Sequence, residues 1–270
     1  MLAELPFFEY FITDDGMDWI VFDTHHDTLV AHGLQMATFE GGAEKAGLTS
    51  STTNHHLDDE RILEFWAWFE QVAGQLAENL DHDSILGSLD ARVSQLGDVS
   101  WEVGPGHHAA NALTITPDGD PSWLDVTLRI VALAPQLEGW EFYPARRAKE
   151  WSLVFAMEGS EGSELEVDAN PWRYVLHRYA DRSFDIVVEQ NDMVGGDDDD
   201  RYSAAVIVLD GLLGEAERLR TIGGIECVSK LAPPEAEKAS AMTSLRRHLE
   251  SLTGSQSAPR WIPKGGRKPE

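Results

Sequence analysis

The stretch Phe22–Thr28, FDTHHDT, holds the residues best suited to chemistry. In an extended segment successive side chains alternate faces, so Asp23, His25 and Asp27 fall on one side. Two carboxylates and an imidazole at a strand end could hold Zn2+ and lower the pKa of a bound water. That is the working part of a metal-dependent hydrolase. The histidine doublets His25-His26, His55-His56 and His107-His108 are less useful, because adjacent rings on a strand point to opposite faces. All three fall at expected element ends or loops, where solvated side chains are the ordinary outcome. No HExxH, CxxC or HxH motif occurs.

Other candidates are weaker. Asp197–Asp200 is a run of four carboxylates, but it lacks the alternating ligands, central glycine and terminal glutamate of an EF-hand loop, and it reads as solvated. Cys227 lies on an expected strand and reads as a small core residue. No GxSxG is present, and the glycines of GPG and VGG do not open helices with phosphate-loop spacing. No cofactor and no catalytic residue is expected outside the Phe22–Thr28 cluster. Arg146-Arg147 is a rare basic spot at the carboxyl end of an expected strand, Gly139–Tyr143. Trp140, Arg146 and Arg147 are therefore the candidates for gripping an anionic ligand or a partner. The competing expectation is that Trp140 and Phe142 pack against a helix.

FDTHHDT also resembles the H-x-D metal-binding start of barrel dipeptidases, over seven residues. The resemblance implies a metal-dependent hydrolase. The chain lacks the repeated strand–helix units that such a barrel needs.

Composition narrows the partners. The 270 residues carry 47 Asp and Glu against 21 Lys and Arg, a net charge of −26. Nucleic acid and an anionic membrane surface are disfavoured, since both need a positive field. A basic protein is the partner that such a charge fits. Nine Trp and ten Phe supply bulky core material. No apolar run approaches the ~18 residues that span a bilayer. The amino terminus has no basic region before its short apolar run, so no signal peptide is expected. With one cysteine, a cytoplasmic protein without disulfides is the expectation. The scarcity of Lys, six against fifteen Arg, points to a GC-rich or salt-adapted source.

The elements that must position these residues follow from periodicity. Phe7–Thr13 and Trp19–Phe22 read as a hairpin around Asp14-Asp15-Gly16, followed by a Gly/Ser/Thr-rich linker. Leu57–Leu80 predicts a long helix capped by Asp58 or Asp59, with Ile62, Phe65, Trp66, Phe69, Val72, Ala73, Leu76 and Leu80 on one face. A second helix capped by Ser84 ends at Gly97. Val99–Val103 and Ala112–Thr116 read as strands. A helix follows from Pro121, broken at Pro135, and then the aromatic strand Gly139–Tyr143. Trp151–Met157 is a further strand, followed by a Gly/Ser/Glu loop. Arg173–Tyr179 and Phe184–Glu189 form a hairpin. Gly195–Asp200 reads as a flexible acidic loop and Ala204–Leu219 as a helix. Ile222–Val228 is a strand, and a last helix starts near Pro234. No internal repeat is evident.

Two segments, LAPQLEGWEFYPAR (Leu133–Arg146) and LDGLLGEAERLRTIGGIE (Leu209–Glu226), resemble uncharacterised bacterial domain-of-unknown-function proteins. The likeness spans about residues 100–230. It implies a cytosolic α+β domain with no assigned activity. The sequence thus predicts an α+β protein: a helical pair, then a largely antiparallel sheet with helices on one face, an elaborated split β-α-β sandwich. The divisions are 1–98, 99–252 and a disordered tail, 253–270. The favoured function is non-enzymatic binding of a basic protein, as an acidic inhibitor or immunity-type protein would do. The alternative is the hydrolase built on Asp23, His25 and Asp27.

Overall fold

The computed structural model describes residues 57–253, apart from 81, 161, 163, 181, 192, 194 and 195, together with three strands nearer the amino terminus. Those strands are β1 (Phe8–Thr13), β2 (Trp19–Thr24) and β3 (Leu29–Gly33), an antiparallel sheet in the order β1-β2-β3. The expected hairpin is β1-β2, and β3 extends it. The chain divides into two compact units, Met1–Asn54 and His55–Glu270.

The second unit opens with helix α1 (Asp59–Glu78). Asp58 caps it, accepting from Glu60 N at 3.1 Å. Ile62, Phe65, Trp66, Phe69, Ala73 and Leu76 recur every three or four residues and all are buried. Helix α2 (Asp83–Val93) follows. Its cap is His82, which makes no side-chain cap bond, and the expected cap Ser84 lies inside the first turn. Strand β4 (Ser100–Pro105) pairs antiparallel with β5 (Asn111–Thr116). A 3-10 turn (Pro121–Trp123) then leads into α3 (Leu124–Ala132). Asp120 caps that turn, accepting from Ser122 N at 2.8 Å. The helix carries the chain across to β6 (Trp140–Tyr143), which pairs parallel with β5.

Alternation places Leu113, Ile115, Trp140 and Phe142 on the face that meets the helices. Trp66, Phe69, Trp140 and Phe142 meet edge to face with centroids 4.7–5.9 Å apart. The two indoles donate to helix carbonyls, Trp66 Nε1 to Ile130 O at 2.8 Å and Trp140 Nε1 to Ala73 O at 3.2 Å. The helical pair and the β4–β6 sheet share one core, so the expected boundary at residue 98 has no counterpart in the packing.

The rest of the unit builds a second core. Hairpin β7 (Val154–Glu158) and β8 (Glu164–Asp168) precedes β9 (Arg173–Arg178) and β10 (Phe184–Glu189), a second hairpin. Helices α4 (Asp198–Leu213) and α5 (Glu215–Thr221) cross over to β11 (Ile222–Val228), parallel to β10. A short helix α6 (Pro233–Ala236), strand β12 (Ser240–Ala241), a 3-10 turn (Met242–Ser244) and α7 (Leu245–Thr253) close the description. The sheet order is β11-β10-β9-β12. Phe184, Ile186 and Val188 join Ala204, Val208, Leu209, Leu245 and Leu249 in one cluster. On the other face Val175 and Val187 meet Leu231.

The fold is α+β, with the helical pair ahead of the strands. After residue 99 the strands divide among separate sheets instead of joining one. The connection of β4-β5-α3-β6 is repeated in β9-β10-α4-α5-β11. Each is an antiparallel pair followed by a helical crossover to a parallel third strand. Three expected elements change. The Glu-rich loop after β7 contains β8, because every second residue, Leu165 and Val167, is apolar and turns inward. The helix expected over 204–219 begins earlier and breaks at Gly214, whose φ of 85° helical residues do not adopt. The last long helix starts at Leu245 rather than near Pro234. The tail beyond Thr253 lies outside the described residues.

Candidate functional site

The face of the β4–β6 sheet turned away from the helices carries Ala112, Thr114, Thr116, Glu141 and Tyr143. Glu141 is fully buried. Its carboxylate accepts from His107 N at 2.9 Å and Ala109 N at 2.6 Å, and also from His108 N and the Tyr143 hydroxyl. Three successive N–H groups aimed at one anion form a nest. The turn needs Gly106, where a Cβ would lie 2.5 Å from Ala109 O. Burial opposes ionisation of Glu141, but the bonds from Tyr143 and the three amides outweigh it and hold its pKa below the ordinary 4.5. Burial and the neighbouring Glu141 push the Tyr143 hydroxyl well above its ordinary range. The phenol therefore stays protonated and donates. The exposed His107 and His108 contribute their backbone, not their rings, to this arrangement.

Arg147 is exposed and lies over Tyr143, its guanidinium 4.7 Å from the ring centroid and Nη1 3.1 Å from the hydroxyl. Arg146 is the centre of an ion-pair cluster. Nε meets Glu102 Oε1 at 2.6 Å, Nη2 meets Asp118 Oδ1 at 2.7 Å and Nη1 meets Glu215 Oε1 at 3.4 Å. Glu215, fully buried, also accepts from Thr116 Oγ1 at 2.5 Å, Gly119 N at 3.0 Å and Arg146 N at 2.9 Å. Burial opposes the Arg146 charge, but Glu102, Asp118 and Glu215 raise its pKa further, so it is permanently protonated.

Three carboxylates surround this one guanidinium, so the local charge is negative and an anion meets repulsion there. Trp140 is 2% exposed and belongs to the core. The three candidates thus separate into a core indole, a saturated ion-pair centre and a guanidinium stacked on Tyr143. Asp23 lies on β2, while His25 and Asp27 lie outside the described residues, as do His55 and His56. Among the described residues no group of three or more His, Cys, Asp or Glu is placed to hold a metal ion. Burial pushes the Cys227 thiol up to about 11, which leaves it a weak nucleophile.

Among the described residues one exposed strand pair is markedly acidic. On the β7–β8 hairpin Phe155, Met157, Leu165 and Val167 face the core, while Val154, Ala156, Glu158, Glu164, Glu166 and Asp168 face solvent. Glu158 sits directly opposite Glu164, and residues 154–168 contain no Lys or Arg. Like charges directly opposite are destabilising in a sheet. The turn of this hairpin is tied to the start of α4. Ser160 N donates to Asp200 Oδ1 at 2.7 Å, and Ser160 Oγ to Asp197 Oδ2 at 2.7 Å.

The run Asp197–Asp200 is a helix start rather than a flexible loop. Asp197 accepts from Asp199 N and Asp200 N at 3.0 Å, and Asp200 accepts from Asp197 N at 3.1 Å, a reciprocal capping box. Carboxylates in a first helical turn also face the positive end of the helix dipole. Asp197→Ala is expected to lower the thermal midpoint by about 2–4 °C, and Asp197→Asn, which keeps an acceptor, to change it by about 1 °C or less. The acidic hairpin and the acidic helix start, which also carries Asp198 and Asp199, are thus linked through Ser160 at the hairpin turn. Val154, 53% exposed, and Tyr202, 44% exposed, lie on the same two elements.

Glu141 and Glu215 were not legible as interior anions. The one available signal was a glutamate inside the apolar run GWEFY. Nothing in the sequence marks Glu215. Compared with protein-family models, curated proteins and solved structures, the chain matches none.

Proposed function

We propose that this chain acts by binding a basic protein, as an acidic inhibitor or immunity-type protein does. The observation that supports it is the solvent face of the β7–β8 hairpin. Glu158, Glu164, Glu166 and Asp168 stand there without a basic residue on either strand, beside the acidic start of α4. Such a face pays an electrostatic cost in the free protein that a cationic partner removes. Val154 and Tyr202 offer apolar contact on the same elements. No described helix is long and apolar enough to cross a membrane.

The test compares the intact chain with a variant carrying Glu158→Gln, Glu164→Gln, Glu166→Gln and Asp168→Asn. Immobilised wild type should retain a basic protein from the source lysate at about 0.1 M salt. It should release it near 1 M, where the screening length falls from about 10 Å to about 3 Å. The variant should fold normally and retain at least tenfold less, in keeping with the loss of a rim charge cluster worth ~1.4 kcal/mol or more. Retention that ignores both salt and the four substitutions would sink the proposal.

A further inference from the structure

We infer that the two ββαβ halves of the second unit hinge on the connector between β6 and β7, and that Glu215 is the latch that holds them closed. The first core draws on residues 57–142 and the second on residues 151–252. Among the described residues no apolar cluster contains members of both. The contact that α5 makes with the first half is polar. Glu215 belongs to α5 of the second half. Its carboxylate takes Thr116 Oγ1 and Gly119 N from the first half, and Arg146 N and Nη1 from the connector.

The backbone around the latch is built for the same contact. Gly214 breaks α4 from α5 with a φ of 85°, and a Cβ there would lie 3.1 Å from Ala148 N. The connector therefore runs hard against this elbow. Glu215 N donates to Arg146 O and Lys149 N to Gly211 O, each at 2.9 Å. A polar junction between separately cored bodies exchanges its bonds for water when it opens. An apolar junction would have to expose core. Opening uncovers the buried Thr116 and the covered part of Arg146, beside the already exposed Asp118, at the carboxyl ends of the parallel strands β5 and β6, the edge at which open α/β sheets receive ligands. The hinge does not depend on the acidic docking face.

Hydrogen exchange read by mass spectrometry on the full chain tests it, together with the radius of gyration from small-angle scattering. Glu215→Gln should speed exchange by about tenfold, the worth of one charged hydrogen bond, in segments 117–122, 144–151 and 211–218. Strands β5 and β10 should keep wild-type rates, and the radius of gyration should grow. Thr116→Val, which removes one donor and little volume, should give a smaller change in the same segments and carries the test if Glu215→Gln does not fold. Unchanged exchange overturns the inference. So does equal acceleration in both sheets, because the halves then open only by global unfolding. Local acceleration with no change in radius overturns it as well.

Discussion

Glu141→Gln is expected to cost about 3 kcal/mol of folding stability, measured by urea unfolding at pH 7. The glutamine keeps the shape, but its NH2 group meets donors: the amides of His107, His108 and Ala109 and the Tyr143 hydroxyl. At least one buried N–H loses its acceptor, and the charge that strengthened the other bonds is gone. Tyr143→Phe removes one donor and should cost about 1 kcal/mol. His107→Ala should be within about 0.5 kcal/mol of wild type, because only the backbone of His107 is used. A large loss in His107→Ala would show that the imidazole, not the nest, holds this turn.

The same carboxylate makes stability depend on acid. Its folded pKa lies below the unfolded value near 4.5, so the native state binds fewer protons than the unfolded chain. Its contribution is complete above that value and disappears as pH falls through the folded one. Glu189 acts in the same direction. Burial opposes its ionisation, and Leu231 N at 3.0 Å and Arg173 Nε at 2.6 Å more than compensate. Unfolding midpoints should fall steeply below about pH 4.5. The Glu141→Gln curve should be flatter over that range, and parallel curves would assign the acid sensitivity to other groups.

What the sequence shows of this fold is what period and capping can encode. Asp58, the α1 stripe and the alternation of Trp140 and Phe142 each depend on neighbours within a turn or two, and each is where periodicity puts it. Sheet membership depends on partners far apart in the chain. β4-β5 and β9-β10 therefore read as parts of one sheet when they belong to two. The repeated ββαβ connection leaves no trace in residue identity, since the first sheet turns Thr114, Thr116 and Glu141 away from its helices where the second turns Val175 and Val187. Charge misled in both directions. Acidity made β8 and the start of α4 look like loops, although Leu165, Val167 and the Asp197 capping box order them. Arg146 looked like an open cation because Glu102, Asp118 and Glu215 lie 44, 28 and 69 residues from it in sequence.

The largest effect is expected at Asp210 and Arg218, which face each other across the elbow at Gly214. Both are about 95% buried, and Arg218 Nε lies 2.5 Å from Asp210 Oδ1. Burial pushes the Asp210 carboxyl up, Arg218 pulls it back, and the net shift is still upward, so the pair does not recover the whole cost of its desolvation. Arg218→Met leaves Asp210 buried beside Glu215 with its own partner gone. Asp210→Leu strands a guanidinium in the same place. Each single change should cost about 3–5 kcal/mol. The double variant should return to within about 1 kcal/mol of wild type or exceed it, because two apolar side chains of similar volume need no hydration. A double-mutant cycle in urea reads the difference directly. Additive losses, about 6–10 kcal/mol in the double variant, would mean that the two charges do not couple and that each side chain stabilises the elbow through other contacts.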